Sequence, residues 1–583
     1  MEYILTGTEM AECDTRTSEV IGIPSLVLME RAALSVADGA DDYLKKNRGG
    51  KGIILAAAGR GNNGADALAA GRILLDRGYD VRFCRLSGEI SPDSSFAVQE
   101  RILASYGAEV PTVTDSILQG LRLPPPADRL HLCPDLSATS LTATSLTAFS
   151  TGAAEVPDVI LDGLFGTGLS RDLSGEAADT VHTVNRFREH LGSYVIAVDI
   201  PSGISSDTGK VMGCAVRCDE TRTFAFRKRG HLLAPGTDFA GVCHLAQIGI
   251  TPLAFKSLPG MFTMSSETAR DLLPPRDPFG NKGTFGKVLI IAGREKMCGA
   301  AFMAARACMA AGAGMVKVFT HEANRVIIQQ SLPEALLETY TEAGDPSQIR
   351  EKLFSSLAWA DIAAAGPGMG TDETAVRLLK DLLRYCAGPD SSLRGLVLDA
   401  DAVRILAAEQ ETVSLLRERP AGLPCILTPH MGEFAALAGL SVRECIDGRG
   451  GLVQEQADRL HCTIACKDAR TLVAHPSCPS GRMLYLNHSG CSGMASAGSG
   501  DVLTGMTAAF LALFTAFPQK ETAVFTADRR RSGFDAACCA VYLHGIAGER
   551  AAAEHGEQGM TACDLIEELR KAAFWSTGSA DMP

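Results

Sequence analysis

Three short polar constellations in the first half of the chain could hold an anion or move a proton, and each follows an apolar run. Gly59-Arg60-Gly61-Asn62-Asn63-Gly64 comes after Gly52–Ala58 and before helix-like sequence. Glycines so placed let the backbone approach a phosphate at a helix N-terminus. A dinucleotide fold also needs an acid about 20 residues on, at the end of the next strand. Here that run ends at Cys84-Arg85, with Asp80 before it. The loop therefore reads as an anion-binding loop unlike that of an ordinary dehydrogenase. The runs Val159–Leu161 and Tyr194–Val198 lead into Asp162 with Phe165-Gly166-Thr167-Gly168, and into Asp199 with Pro201-Ser202-Gly203. Ligands of open parallel sheets bind at the carboxyl ends of strands. Asn62, Asn63, Asp162, Asp199 and Ser202 are thus expected along one sheet edge. A helix cap or turn former accounts equally well for any one of them, but poorly for all three strand ends together.

The second half carries Gly498-Ser499-Gly500-Asp501 at the start of the helix-like stretch Val502–Leu513. Glycine N–H groups at a helix start form an anion pocket. An aspartate beside them can take a proton from a hydroxyl held near the phosphate. His430 follows the apolar run Cys425–Thr428 and reads either as a ligand or as a hydrogen-bonded structural residue. Asp399 and Asp401 read as a helix cap and a site carboxylate, and the sequence does not decide between them.

The elements around these residues are strands alternating with helices. Gly52–Ala58, Val81–Cys84, Val159–Leu161 and Tyr194–Val198 predict one parallel sheet. Lys287–Ala292, Met315–Thr320, Asp361–Ala365, Leu396–Asp399, Cys425–Thr428 and Thr463–Ala465 predict a second, with a helix over Ala300–Ala311. The expected domains are 1–257 and 258–583. A Pro/Ser/Thr-rich segment at about 122–155 reads as an inserted loop. Asp528–Gly533 reads as a solvated basic turn.

At 583 residues the chain is too long for one ordinary core. Its net charge of −13 argues against a nucleic-acid partner, which needs a positive surface. The 18 cysteines include no CxxC pair, so reduced thiols of a cytoplasmic protein are expected. No signal-peptide layout opens the chain, and Ala508–Phe517 falls short of the ~20 residues of a membrane span.

The segments GRGNNGADAL, DGLFGTGLSRDLSG and VDIPSGISSDTG resemble the NAD(P)H-hydrate epimerase family. NKGTFG at 281–286, AGAG at 311–314, GPGMG at 366–370, LDADA at 398–402, LTPHMGEF at 427–434 and MASAGSGDVLTG resemble the NAD(P)H-hydrate dehydratase family, whose fold is ribokinase-like. Both sets in one chain, epimerase first, resemble the bifunctional repair enzymes of bacteria. The resemblance implies an α/β protein of two domains. The first would be Rossmann-like with three α/β/α layers, the second ribokinase-like.

In the first domain the resemblance implies that Asn62, Asn63, Gly64, Ala65 and Asp66, with Gly166, Thr167, Gly168, Leu169, Ser170, Arg171 and Asp172, bind the hydrate (NADHX or NADPHX). Asn63, Asp162 and Ser202 would ligate potassium through oxygen, and Asp199 would be the proton-exchanging residue. In the second, Asp501 would be the acid/base and contact the hydrate. Ala300, Gly368 and His430 would line the hydrate pocket. Lys467, Asp468, Ala469, Arg470, Thr471 and Gly500 would bind ADP or ATP, and Mg²⁺ would bridge the phosphates. A homo-oligomer is expected.

Two departures stand out. Ala65 and Ala67 replace family glycines, and if either glycine is needed for φ > 0 or close backbone approach, the added Cβ would crowd the ligand. Asp468 is expected to repel phosphates unless Lys467 or Arg470 offsets it. A small-molecule kinase with a non-catalytic nucleotide-binding first domain is the competing reading.

Overall fold

The structure, a computed structural model, describes residues 2–113, 156–341, 344–478, 481–517 and 531–571. The expected insertion at 122–155 lies outside the described residues, as do residues 528–530 of the basic turn. The chain divides into two compact units, Tyr3–Pro259 and the part from Gly260 onward.

The first unit is built on a six-stranded parallel sheet. Its strands are β2 (Ile53–Ala58), β3 (Asp80–Arg85), β4 (Val159–Gly163), β5 (Tyr194–Val198), β6 (Glu220–Phe224) and β8 (Val242–Ala246), in the order β3-β2-β4-β5-β6-β8. Alternation along the strands explains the layering, because successive side chains point to opposite faces. Ile54, Ala56 and Ala58 join one core with Leu68 and Leu74 of the helix Asn62–Asp76 and with Val36 and Leu44 of the helix Ser25–Arg48. Leu55 and Ala57 join the opposite core with Val181, Val184 and Phe187 of the helix Glu176–Leu191. The result is the expected three-layer α/β/α arrangement. A small parallel pair, β1 (Glu2–Leu5) with β7 (Arg227–Lys228), sets Lys228 opposite Leu5.

The second unit holds β9 (Met261–Thr263), β10 (Lys287–Ile291), β11 (Met315–His321), β12 (Leu336–Tyr340), β13 (Ile362–Ala365), β14 (Gly395–Leu398), β15 (Cys425–Leu427), β16 (Thr463–Cys466), β17 (Leu472–Cys478) and β18 (Gly481–Leu486). The order is β12-β11-β10-β13-β14-β15-β16-β17-β18-β9. The pairs from β12 to β16 are parallel, and β16-β17-β18 is an antiparallel meander. The helix Ser499–Ala516 is long and apolar enough by composition to cross a bilayer, but 72% of it is buried within the protein. The alanine-rich helix Cys298–Ala310 lies so close that a Cβ on Gly505 would sit 2.0 Å from the Ala304 carbonyl oxygen.

Candidate functional sites

The carboxyl edge of the first sheet opens into a cavity of about 590 Å³. Of the residues expected to bind the hydrate, Asn62, Asn63, Asp66, Gly166, Thr167, Gly168, Leu169, Ser170, Arg171 and Asp199 line it. Gly64, Ala65 and Asp172 are not part of the lining. Gly64 is instead a point of close approach: a Cβ there would fall 1.9 Å from the Gly59 carbonyl oxygen. Asp172 is exposed beside the cavity loop.

Ala65 and Ala67 are fully buried in the core under the helix Asn62–Asp76. The Ala67 Cβ faces β4, where a Cβ added at Gly163 would lie 2.4 Å from it. Neither alanine lines the cavity. Their methyl groups point into packing, away from the cavity.

Asp199 follows β5 directly and has φ 66°, a left-handed conformation that aspartate tolerates better than most residues. This backbone turn sends the side chain back over β6. Its Oδ1 accepts hydrogen bonds from Thr223 Oγ1 at 3.0 Å, from the Phe224 N–H at 3.2 Å and from the Lys228 ammonium. Lys228 is fully buried and also donates to Thr223 Oγ1 at 3.0 Å and the Phe224 carbonyl at 3.2 Å.

His231 completes the arrangement. Its Nδ1 accepts the Lys228 N–H at 3.1 Å, which leaves Nε2–H to donate to the Asp199 carbonyl at 2.9 Å. Burial, with Lys228 nearby, pushes its pKa down to about 4 and keeps the ring neutral. Lys228 and His231 escaped the sequence reading. They lie 29 and 32 residues from Asp199 in the chain, and only the fold joins them.

Asp162 sits at the end of β4 and is fully buried. Its two oxygens accept the Ser202 hydroxyl at 2.6 Å and the Ser202 N–H at 2.8 Å. Ser202 Oγ also accepts the Phe165 N–H at 2.8 Å. Burial lifts the Asp162 pKa to about 6 despite these donors. The Asn63 side-chain amide is buried nearby with its nitrogen unpartnered, and its Cγ lies 3.1 Å from the Cβ position of Gly166. The oxygens that meet here, the buried Asp162 carboxylate and the Ser202 hydroxyl, are the donor type a hard cation takes.

In the second unit the helix Ser499–Ala516 is capped by Gly498 at φ 92°, a left-handed turn that favours glycine. Ser499, Gly500 and Asp501 form its first turn, where N–H groups are free of intrahelical partners. A Cβ on Gly500 would lie 3.2 Å from Lys467 Nζ and 3.9 Å from Asp399 Oδ2. Lys467 Nζ donates to Asp399 Oδ1 at 2.6 Å, and Thr504 Oγ1 to Asp399 Oδ2 at 2.6 Å. Partial burial, then the charges of Asp399 and Asp401, raises the Asp501 pKa to about 6.

The undecided pair is thereby assigned. Asp399 is the buried carboxylate of the cluster. Asp401 accepts the Gly370 N–H at 2.9 Å and braces the GPGMG loop. That loop carries Gly368, where a Cβ would meet the Ala300 Cβ at 2.9 Å.

His430 stands at the end of β15, bridged to the Lys467 backbone. It caps the helix Met431–Ala438: its Nδ1 accepts the Gly432 and Glu433 N–H groups, and Nε2 reaches Glu433 Oε1 at 3.1 Å. Its ring is 60% exposed, so the cap leaves a face of the imidazole accessible.

The turn 467–471 differs from expectation in its charge balance. Asp468 is paired with Arg449, from the helix Arg449–Leu460, rather than with Lys467 or Arg470. Lys467 is committed to Asp399. Arg470 donates to the His488 carbonyl at 3.2 Å. Thr471 Oγ1 closes the turn on the Asp468 carbonyl at 3.2 Å. Thr504 was legible in principle, being three residues after Asp501 on one helix, whereas nothing in the sequence points to Arg449.

Residues 288–571 match the NAD(P)H-hydrate dehydratase family, and residues 25–230 match the YjeF-related protein N-terminus family. The chain is 34% identical to the bifunctional NAD(P)H-hydrate repair enzyme of Thermofilum pendens, across 97% of this chain and 95% of that protein. It is 30% identical to the enzyme of the same name from Moorella thermoacetica, across 97% and 96%. A solved ADP/ATP-dependent NAD(P)H-hydrate dehydratase from Bacillus subtilis, co-crystallised with ATP and Mg²⁺, is 28% identical. It covers 53% of this chain and 96% of its own, with a TM-score of 0.42.

Proposed function

The chain belongs to the family of bifunctional NAD(P)H-hydrate repair enzymes, and on that premise we propose that its first unit epimerises the R and S hydrates while its second dehydrates the S form at the expense of ADP. The observation that most supports this is the presence of an acidic site in each unit. Asp199 faces a cavity of its own, and Asp501 opens a helix beside Lys467 and Asp399.

In the first unit Asp199 exchanges a proton with the hydroxyl on the reacting ring carbon. Lys228, Thr223 and the Phe224 N–H hold one carboxylate oxygen, so the other is directed into the cavity. Arg171 and the 166–170 loop border the space for the anionic part of the hydrate. Asn63, Asp162 and Ser202 would hold potassium, whose charge would offset the buried Asp162 carboxylate and fix the loop ahead of Gly166.

In the second unit the first turn of the helix Ser499–Ala516 and the 467–471 turn receive the nucleotide phosphates. Asp501 takes the proton of the C6 hydroxyl as that oxygen is phosphorylated. Loss of that oxygen from C6 as phosphate, with loss of a proton from C5 to solvent, then forms the C5=C6 bond and restores the dihydropyridine ring. Ala300, Gly368 and His430 border the hydrate. Asp399 is tied to Lys467 and Thr504, so a Mg²⁺ ion would be held mainly by phosphate oxygens.

The test is separation of the two activities by mutation. Asp199→Asn should stop interconversion of the epimers and leave dehydration of the S form intact. Loss of both together would contradict two independent sites.

A further inference from the structure

The cavity of the first unit has a wall that neither the sequence motifs nor the matched family segment supplies. The family match begins at residue 25, yet Met10 and Asp14 line the cavity from the helix Gly7–Arg16. That helix is fastened at both ends. Thr6 and Glu9 form a capping box, and the Gly7 N–H donates to Asp207 Oδ1 at 2.7 Å. Arg16 Nε donates to the Ala254 carbonyl at 2.9 Å. Gly7 lies so close to the cavity loop that a Cβ there would sit 2.9 Å from the Thr167 carbonyl oxygen.

Asp14 is thus a carboxyl group that this helix holds on the wall of the cavity that Asp199 also lines. We propose that Asp14 is a second catalytic residue of epimerisation, a proton donor that shares the cavity with Asp199; this rests on the epimerase reading of the cavity.

The chemistry calls for such a pair. The reacting carbon of the hydrate bears both the hydroxyl and the ring nitrogen. As Asp199 takes the hydroxyl proton, the oxygen electron pair forms a C=O bond and the C6–N1 bond breaks. The electron pair left on N1 takes a proton from the Asp14 carboxylic acid. Rotation about C5–C6 turns the other carbonyl face toward nitrogen. In the reverse direction Asp14 removes the N1 proton, N1 attacks carbon, and Asp199 returns its proton to the oxygen. Both carboxyl groups end as they began, and no redox partner is needed.

The surroundings of Asp14 suit a donor. Burial and the negative charge of Asp199 raise its pKa, partly opposed by Lys228. Asp66, from the helix Asn62–Asp76, lines the same cavity, where burial and the charges of Asp199 and Asp14 hold its carboxyl well above the usual carboxylate range, and Arg60 and Arg171 also border the space.

The experiment follows conversion of pure R hydrate to the S form as a function of pH, using the full-length protein with Asp14→Asn, Asp14→Glu and Asp66→Asn. The acid form of Asp14 is required, so the wild-type rate should fall on the alkaline side. Asp14→Asn should lose about 10²-fold in rate and that alkaline limb with it. Asp14→Glu should recover part of the rate with the limb displaced, which keeps the test open if the asparagine variant folds poorly. A wild-type rate and limb in Asp14→Asn would overturn the inference. So would an unshifted limb in Asp14→Glu, or a limb that vanishes in Asp66→Asn instead. Wild-type protein that does not interconvert the epimers would overturn the epimerase reading itself and the inference with it.

Discussion

Lys467 Nζ stands 2.6 Å from Asp399 Oδ1, and the other oxygen of that carboxylate takes the Thr504 hydroxyl at 2.6 Å. Asp399 is 1% exposed, and the Lys467 ammonium is its charge partner there. Removing one partner of such a pair leaves an uncompensated charge. Lys467→Met should therefore lower stability by about 3 kcal/mol, measured by denaturant unfolding, and weaken nucleotide binding. Asp399→Asn should cost less, because an amide can still accept from Thr504. Equal stability of Lys467→Met and wild type would show that the pair does not anchor the site.

The Asp501 carboxyl, with a pKa of about 6, has opposite consequences for activity and stability. As a base it must be ionised, so the dehydration rate should fall as pH drops through about 6. Its folded pKa lies above the unfolded value of 3.8, so the folded state disfavours the charge. Asp501→Asn should then melt higher than wild type above pH 6, with the advantage fading as pH falls toward 3.8. The same variant should lose dehydration by at least ~10²-fold. A lower melting temperature at neutral pH would contradict the electrostatic account.

Ser202 supplies two donors to a fully buried carboxylate. Ser202→Ala keeps the backbone N–H and deletes the hydroxyl, which should cost about 1.5–3 kcal/mol as a lost bond to a charged group. If Asn63, Asp162 and Ser202 hold potassium, wild type should gain thermal stability when potassium replaces a bulky organic cation, and Asp162→Asn should not. A potassium response unchanged in Asp162→Asn would remove these residues from the cation site.

Ala65 and Ala67 are packed in the core, and neither lines the cavity. Restoring glycine at either position should lower stability by about 1 kcal/mol, the helix-interior cost of glycine, and leave the epimerisation rate unchanged. A faster enzyme from Ala65→Gly would reinstate crowding of the ligand.

The strands and their terminal loops were legible because each is a contiguous run. β5 was read to the residue, and the Gly59–Gly64 loop, Asp162 and Asp199 were placed at strand ends from local pattern alone. β6 and the edge strand β8 were not read, since ETRTF and VCHLA carry polar residues that blur the apolar run. Residues that act on the sites from a distance were equally hidden. Lys228, His231, Arg449 and Asp14 come from other elements, and periodicity carries no record of which elements meet. The burial of Ala65 and Ala67 was missed for a related reason, because a glycine-to-alanine change looks the same in sequence on either face of a helix.

Whether one chain carries both activities can be read from recovery of reduced-nicotinamide absorbance in a mixed-epimer NADH-hydrate preparation, with ADP, with ATP and with neither. With both units active, recovery should be complete with ADP and absent without nucleotide. Recovery that stops at the S fraction would contradict an active first unit, and a stable phosphorylated product without recovery would contradict the second.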